Sequence, residues 1–547
     1  MTRLLFLRSP PFPKVAPGVA AISMSLDDPA QAGFVSDAVL DAVARDRVGG
    51  VFWGHAISGI KLVVRQGISL PANIAERFAG HEIGVVGADN PSARGDAMVG
   101  RLLPDPCDLW ALMQDAQCVH AALDDELAII AGLSGVPVFG PDHQPIAPAE
   151  LRAAARQAIA TARYRDCFAD GAATVEEAVA QLAQWRRHLD GNRHIAAASG
   201  MAFWKRDAIS RFLWDGVGSP PFLPVRQGIA KAARDKASLA VWPSRVPPTA
   251  GADAAQQGVS LARIEDGFLR SRGLGAALNP PGSIVIDRRG IYYDAHGPSD
   301  LEHLLATHDF PPALVARAQR LRERICASGV TKYNLDAGRM IALPDGRRTV
   351  LAVGQVEDDM SVQLGGAGIK SNLDFLTRVR RAEPDAWIIY RPHPDVQAGH
   401  RKGHLSNAAV LAQADCIDTG SPLMDLVQGV DETHVLSSLT GFEALMRGRP
   451  VTVHGMPFYA GWGLTRDLAA PTGRRERRLT LDQLVAAVLI LYSRYLDPAT
   501  GLPCGPEIMV DRMASGATPP VTMLVRWRML QGKLRRLITL STEFLHG

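Results

Sequence analysis

No two of the six cysteines, at positions 107, 118, 167, 326, 416 and 504, stand in a Cys-x-x-Cys pair. A zinc ribbon and a dithiol redox motif are therefore excluded, and single thiols this far apart fit a reducing compartment better than a disulfide framework. Charge of one sign is lacking too. Lys and Arg number 59 against 56 Asp and Glu, a net +3 over 547 residues, which leaves no general nucleic-acid footprint, so any basic surface has to be local. Long hydrophobic runs are also missing. The opening Met1-Thr2-Arg3-Leu4-Leu5-Phe6-Leu7 is too short for a signal-peptide core, with Pro10 and Pro11 close behind. The longest apolar helix-like stretch, residues 484–492, could not span a bilayer. These features predict a cytoplasmic protein. His400 and His404 stand four apart, but in a Gly- and Lys-containing loop without a carboxylate partner, so they read as solvated and no metal site is expected.

What is present is a chain too long for one core, and its 47% hydrophobic and 21% charged residues rule out a disordered one. Residues 345–515 read most clearly. Short apolar strands at 349–353, 386–390, 433–436 and 450–453 alternate with helices at 422–427 and 440–447 and another starting near Ser371-Asn372. That alternation predicts a parallel, doubly wound sheet, which binds ligands at the carboxyl ends of its strands. Residues 195–335 read as a second, looser α/β domain. Its features are a helix at 204–213, a strand at 261–264, a hairpin of 283–286 with 291–293, and a long helix at 311–325; residues 331–347 form the linker. The first 190 residues hold a weak repeat of the last domain. Residues 108–123 resemble 422–439, Gly132-Leu133-Ser134-Gly135-Val136-Pro137-Val138 parallels Leu445-Met446-Arg447-Gly448-Arg449-Pro450-Val451, and Arg163-Tyr164-Arg165-Asp166 parallels Arg494-Tyr495-Leu496-Asp497. Glu443 meets Ile130 in this copy, so 1–190 reads as a degenerate, noncatalytic α/β half-module.

Three strings carry the chemistry, in this order: Glu265-Asp266-Gly267, Arg391-Pro392-His393-Pro394, and Leu436-Ser437-Ser438-Leu439-Thr440-Gly441-Phe442-Glu443. They are an acidic pair ahead of a glycine, a His-Pro at a strand end, and a Ser/Thr-Gly turn opening a helix. Together they suit the transfer of a sugar from a nucleotide, with a carboxylate for acid–base work and an imidazole and helix-start donors for phosphate.

These strings resemble those of the capsular-polysaccharide Kdo transferases of the KpsC/LipB type. So do Arg263-Ile264-Glu265-Asp266-Gly267-Phe268-Leu269-Arg270-Ser271, Gly290-Ile291-Tyr292-Tyr293-Asp294, Gly354-Gln355-Val356-Glu357-Asp358-Asp359 and Pro457-Phe458-Tyr459-Ala460-Gly461-Trp462-Gly463. The resemblance covers about 195–515. It implies a GT-B-like pair of Rossmann-type domains, the acidic-pair domain on the acceptor side and the last domain holding CMP-Kdo. The implied activity is a retaining β-Kdo transfer to lipid-linked Kdo or lyso-phosphatidylglycerol at the inner face of the inner membrane, without cofactor or metal, and with a possible partner capsule transferase. With one whole module, one linkage per chain is expected.

Under that resemblance Glu265 takes the acceptor proton with Asp266 as understudy; the alternative is a strand end salt-bridged to Arg270. Asp359 is the candidate nucleophile, with Asp358 open, unless both cap the turn that follows. His393 binds the phosphate and can protonate the departing oxygen. Ser437, Ser438, Thr440 and the amides near Gly441 hydrogen-bond it, or form an ordinary helix cap. Glu443 accepts from ribose hydroxyls, Gln355 belongs to the substrate-binding set, and Arg391 or Arg270, less so Lys205, meets the Kdo carboxylate. Tyr459 and Trp462 stack on base or sugar, or pack in the core. Residues 516–547, with Arg526, Arg528, Lys533, Arg535 and Arg536 among apolar side chains, read as a basic amphipathic helix on a lipid surface or on the module itself. Two further readings stay open: a noncatalytic assembly or export adaptor, and a related transferase using CMP-sialate or a uridine nucleotide.

Overall fold

The computed structural model describes residues 5–26, 33–87, 100–169, 171–270, 280–331, 338–399 and 401–516. The tail from 517, His400 and Ser271 lie outside them. The chain forms two compact units. The first takes in 1–194, 209–220 and 500–503, and the second 195–208, 221–499 and 504–547.

The first unit is built on a parallel sheet in the order Arg101–Leu102, Ile83–Val86, Leu62–Arg65, Cys118–His120, Val138–Phe139. A separate antiparallel sheet joins Ser23–Ser25, Ala162–Arg165 and Ala172–Ala173. The helix Glu126–Leu133 is buried along most of its length, which its near-continuous run of Leu, Ala and Ile requires. Helix Val175–Asp190 starts at the capping box Thr174/Glu177. Its Arg186 and the following Arg193 neutralise the fully buried Asp108 at 2.7 and 3.1 Å, as a carboxylate at that depth requires.

The second unit holds two sheets. One runs Cys416–Ile417, Trp387–Arg391, Thr349–Val353, Glu432–Val435, Val451–Val453, Arg466–Asp467, all parallel. Its strands are rich in Val, Ile and Leu because both faces are covered. Numbered along the chain the order is 3-2-1-4-5-6, and the parallel sheet of the first unit runs 3-2-1-4-5, so the repeat read in the sequence has the same strand order. The paired tyrosines match as well. Tyr164 and Tyr495 each follow a helix and donate back to it, to Ile159 O and Leu489 O, both at 2.8 Å.

The other sheet of the second unit corrects two expectations. Residues 291–293 form no hairpin strand: Ser283–Asp287 pairs antiparallel with Leu261–Asp266 on one side and Ser493–Leu496 on the other. The buried Asp287 carboxylate turns the chain by accepting from the amides of Arg289, Gly290 and Asp300 at 3.0, 2.8 and 2.9 Å, and from the Tyr492 hydroxyl at 2.8 Å. Strand Ser493–Leu496, expected with the last domain, thus belongs to the sheet of 195–335, alongside the parallel Ile195–Ser199, Ser238–Val241 and Leu261–Asp266. Arg317 to Glu507 at 2.7 Å and Arg512 to Asp497 at 2.9 Å fix the returning segment.

Leu351 is fully buried at the centre of the parallel sheet of the second unit. Leu351→Ala is expected to cost about 2–5 kcal/mol, read as a lowered midpoint of denaturant unfolding.

Candidate functional site

In the second unit, helices leave the neighbouring strands Thr349–Val353 and Glu432–Val435 in opposite directions along the strand order, and a crevice opens at their carboxyl ends. Gln355 spans it. Its Oε1 accepts from the Ser437 amide at 2.8 Å and its Nε2 donates to Ser437 Oγ at 3.2 Å. Asn372, just inside its helix, fixes the Gln355 backbone from both sides, accepting from its amide at 2.9 Å and donating to its carbonyl at 2.8 Å. The crevice continues into a cavity of about 1080 Å³ that Glu265, Tyr293, Asp359, His393, Ser438 and Glu443 all line.

The acidic pair splits in role. Asp266, last in its strand, is gripped by Lys205 at 2.9 Å and Arg270 at 2.8 Å, with the Trp242 ring 3.6 Å from the Lys205 ammonium. Burial alone would raise the Asp266 pKa, but these two cations hold it below the usual carboxylate range. Arg270 is itself buried and does not line the cavity, so its place is beside Asp266 and not on a sugar carboxylate. The Glu265 carboxylate accepts from the Asp266 amide at 3.0 Å and faces the cavity's aromatic wall of Phe268, Tyr292 and Tyr293.

Across from it, Asp358 is exposed and pairs with Arg401 at 3.1 Å, whereas Asp359 caps helix Met360–Gly365. Asp359 Oδ1 accepts from the Ser361 amide and hydroxyl at 2.9 and 2.7 Å. Capping and a site role coexist here, because the capped end opens on the cavity. His393 caps the short turn Pro394–Gln397 by accepting the Asp395 amide on Nδ1 at 3.1 Å, which puts the proton of the neutral ring on Nε2. Ser438 caps Leu439–Met446, and Ser438, Thr440 and Glu443 face the cavity.

Several predicted contacts fall elsewhere. Tyr459 and Trp462 are fully buried and do not line this cavity. Tyr459 donates to Ser438 O at 2.5 Å and Trp462 to Phe458 O at 2.9 Å, so they are core braces, and of this loop's aromatics it is Phe458, itself buried, that lines the cavity. Gly441 serves Tyr459 in place of a ligand, since a Cβ there would come within 2.3 Å of its hydroxyl. The Arg391 guanidinium pairs with the buried Asp418, whose Oδ1 also accepts the Ser421 amide at 3.1 Å. It braces the cavity wall at 419–423 instead of standing as a waiting cation. Arg401 and Arg447, not singled out in the sequence, also line the cavity.

Among the described residues one group, Glu383, Glu432 and His434, has the spacing to hold a metal. Arg348 bridges both carboxylates, Arg466 meets Glu383 at 2.6 Å, and Thr452 donates to Glu432. Those two guanidinium groups already balance both acidic charges, so the donor set reads as a closed ionic network.

With this geometry in place, comparison with known proteins is specific. Residues 238–495 match the family described as capsule polysaccharide biosynthesis protein. The chain is 39% identical over 339 residues to the capsule polysaccharide modification protein LipA of Neisseria meningitidis serogroup A, covering 62% of this chain and 48% of that one. It is 46% identical over 249 residues to the lipopolysaccharide-processing protein LpsZ of Rhizobium meliloti, covering 44% and 56%. The solved β-Kdo 2,4 transferase of Thermosulfurimonas dismutans KpsC is 33% identical with a TM-score of 0.50, covering 58% of this chain and 98% of that one. The chain belongs to the capsular Kdo transferase family. It spans about half the length of the curated relatives it matches.

The first unit shows how a sheet of the same strand order departs from the site of the second unit. Where the second unit has an uncharged Ser438 cap, helix Glu126–Leu133 is capped by Asp125, which Arg65 meets through Nε at 2.7 Å. Glu126 follows, paired with Arg8. Carboxylates thus occupy the helix start that would otherwise attract phosphate.

Because the folded pKa of Asp266 is depressed, its pairing stabilises the fold above the ordinary value of 3.8 and is lost as pH falls through the folded value. Lys205→Met is expected to cost about 3 kcal/mol at neutral pH. The gap from wild type should narrow progressively as pH falls below 3.8, as urea midpoints followed from neutral pH down to about pH 2 would show.

Proposed function

We propose that the chain is a retaining β-Kdo glycosyltransferase that moves Kdo from CMP-Kdo to a glycolipid acceptor in capsule linker synthesis, on a GT-B-like pair of sheets. One observation carries this reading: Glu265 from one sheet and Asp359, His393, Ser438 and Thr440 from the other line a single cavity within one compact unit. The phosphate sits at the Ser438 helix start, where Thr440 and the His393 Nε2 proton stabilise charge on the departing oxygen. Asp359 attacks the anomeric carbon as the bond to CMP breaks. Its Oδ1 is already held by Ser361, and among the described residues Oδ2 accepts no hydrogen bond. The acceptor hydroxyl then displaces Asp359 from that carbon while Glu265 takes its proton, and two inversions give net retention. Asp266, locked to Lys205 and Arg270, stays ionised beside Glu265.

The match of the solved 2,4 transferase to 58% of this chain supports one linkage per chain. Among the described residues no helix is long and apolar enough to cross a membrane. Access to a lipid-linked acceptor is therefore assigned to peripheral contact with the inner membrane, for which the basic segment 516–547 is the candidate.

Purified chain, CMP-Kdo and a synthetic Kdo-terminated lipid should release CMP and give a β-linked product by NMR. Glu265→Gln and Asp359→Asn should each slow release by about 10²-fold or more with the fold retained by circular dichroism. Unchanged turnover in both would remove the assignment, and CMP-Kdo left intact by wild type would favour the adaptor reading.

A further inference from the structure

Tyr293 was matched in the sequence without a role, and its surroundings supply one. It follows the turn that the buried Asp287 carboxylate ties down, so its position is set by rigid backbone. Its carbonyl packs against Gly365, where a Cβ would stand 3.1 Å away, at the end of the helix that Asp359 caps. Its ring meets Tyr292 edge-on at 5.2 Å, and Tyr292 packs on Phe268 and Phe458 at 4.8 and 5.8 Å. Tyr293 is 6% exposed and lines the cavity. Among the described residues its hydroxyl, buried as it is, has no hydrogen-bond partner, although a polar group at that depth normally has one.

Burial, and then the charges of Glu265 and Asp359, push the phenol pKa far above its ordinary value, so it stays a proton donor at any working pH. Those same two carboxylates flank the reacting carbon in the transferase reading, on which this inference rests. Phosphate and ribose are served from elsewhere, by His393, Ser438, Thr440 and Glu443. We propose that the Tyr293 hydroxyl donates a hydrogen bond to an oxygen of the transferred sugar and so recognises the sugar, not the nucleotide.

Three readouts on Tyr293→Phe test this. Turnover of CMP-Kdo, as kcat/KM, should fall about 10- to 100-fold, while the Kd for CMP by calorimetry stays within about twofold of wild type. The ligand-free variant should melt about 1–3 °C higher, because removing a buried unpaired hydroxyl relieves a cost that only substrate offsets. Unchanged kcat/KM, a CMP affinity that falls in step with turnover, or a melting temperature at or below wild type would each overturn the proposal. The melting measurement needs no substrate. A wild-type chain inert toward CMP-Kdo sinks the transferase reading, whereas a Tyr293→Phe chain no more stable than wild type sinks this one.

Discussion

Strands Thr349–Val353 and Glu432–Val435 lie side by side, yet the chain departs from them toward opposite edges of the sheet. Something must fill the gap that opens between the two departing segments. Here it is the Gln355 amide, which matches its two ends to the amide and hydroxyl of Ser437. An amide does this without adding charge, so the crevice keeps its helix-start donors and its polarity toward an anion. The placement of Ser438, Thr440 and Asp359 around one cavity follows from that single bridge and from Asn372 behind it. The first unit reaches the same strand order but joins Arg65 to Asp125 across its gap. One tie is an uncharged amide and the other an ion pair.

The opposing wall depends on electrostatics of a different kind. Lys205, Arg270 and Asp266 form a nearly dry triad on which Trp242 also packs. Two cations on one carboxylate leave that carboxylate ionised, and this fixes which of the adjacent acids can exchange a proton. Glu265, its neighbour in the strand, lines the cavity together with the aromatic side chains of Phe268, Tyr292 and Tyr293.

Much of this was legible in the sequence because the relevant signals are local. Ser371 and Ser438 announce helix starts, and 349–353 and 386–390 announce buried strands, within a residue or two of where they occur. The acidic pair, the His-Pro and the Ser/Thr turn were found because each sits at a strand end, where ligand-facing residues must lie. What could not be read depends on distant partners. Ile291-Tyr292-Tyr293 has the β-propensity of a strand, yet Asp287 captures three amides beyond it and bends the chain away. Arg391 has no sequence neighbour that reveals Asp418, and Tyr459 and Trp462, set among glycines, look like a ligand loop until Gly441 is seen to exist for the tyrosine hydroxyl. Tyr293 went unassigned for the opposite reason: what marks it is the lack of a partner, which only a fold can show.

The placement of Ser493–Leu496 has a consequence for how the protein comes into being. Ser283–Asp287 gains its outer neighbour only after the whole of the later sheet has been synthesised. Until then it is an unprotected β-edge on a nascent chain, the kind of surface that invites pairing with another molecule. The second unit therefore completes itself late and as one piece, through contacts of long sequence separation. A ribosome that stops short of residue 493 releases not a smaller folded unit but a sticky fragment.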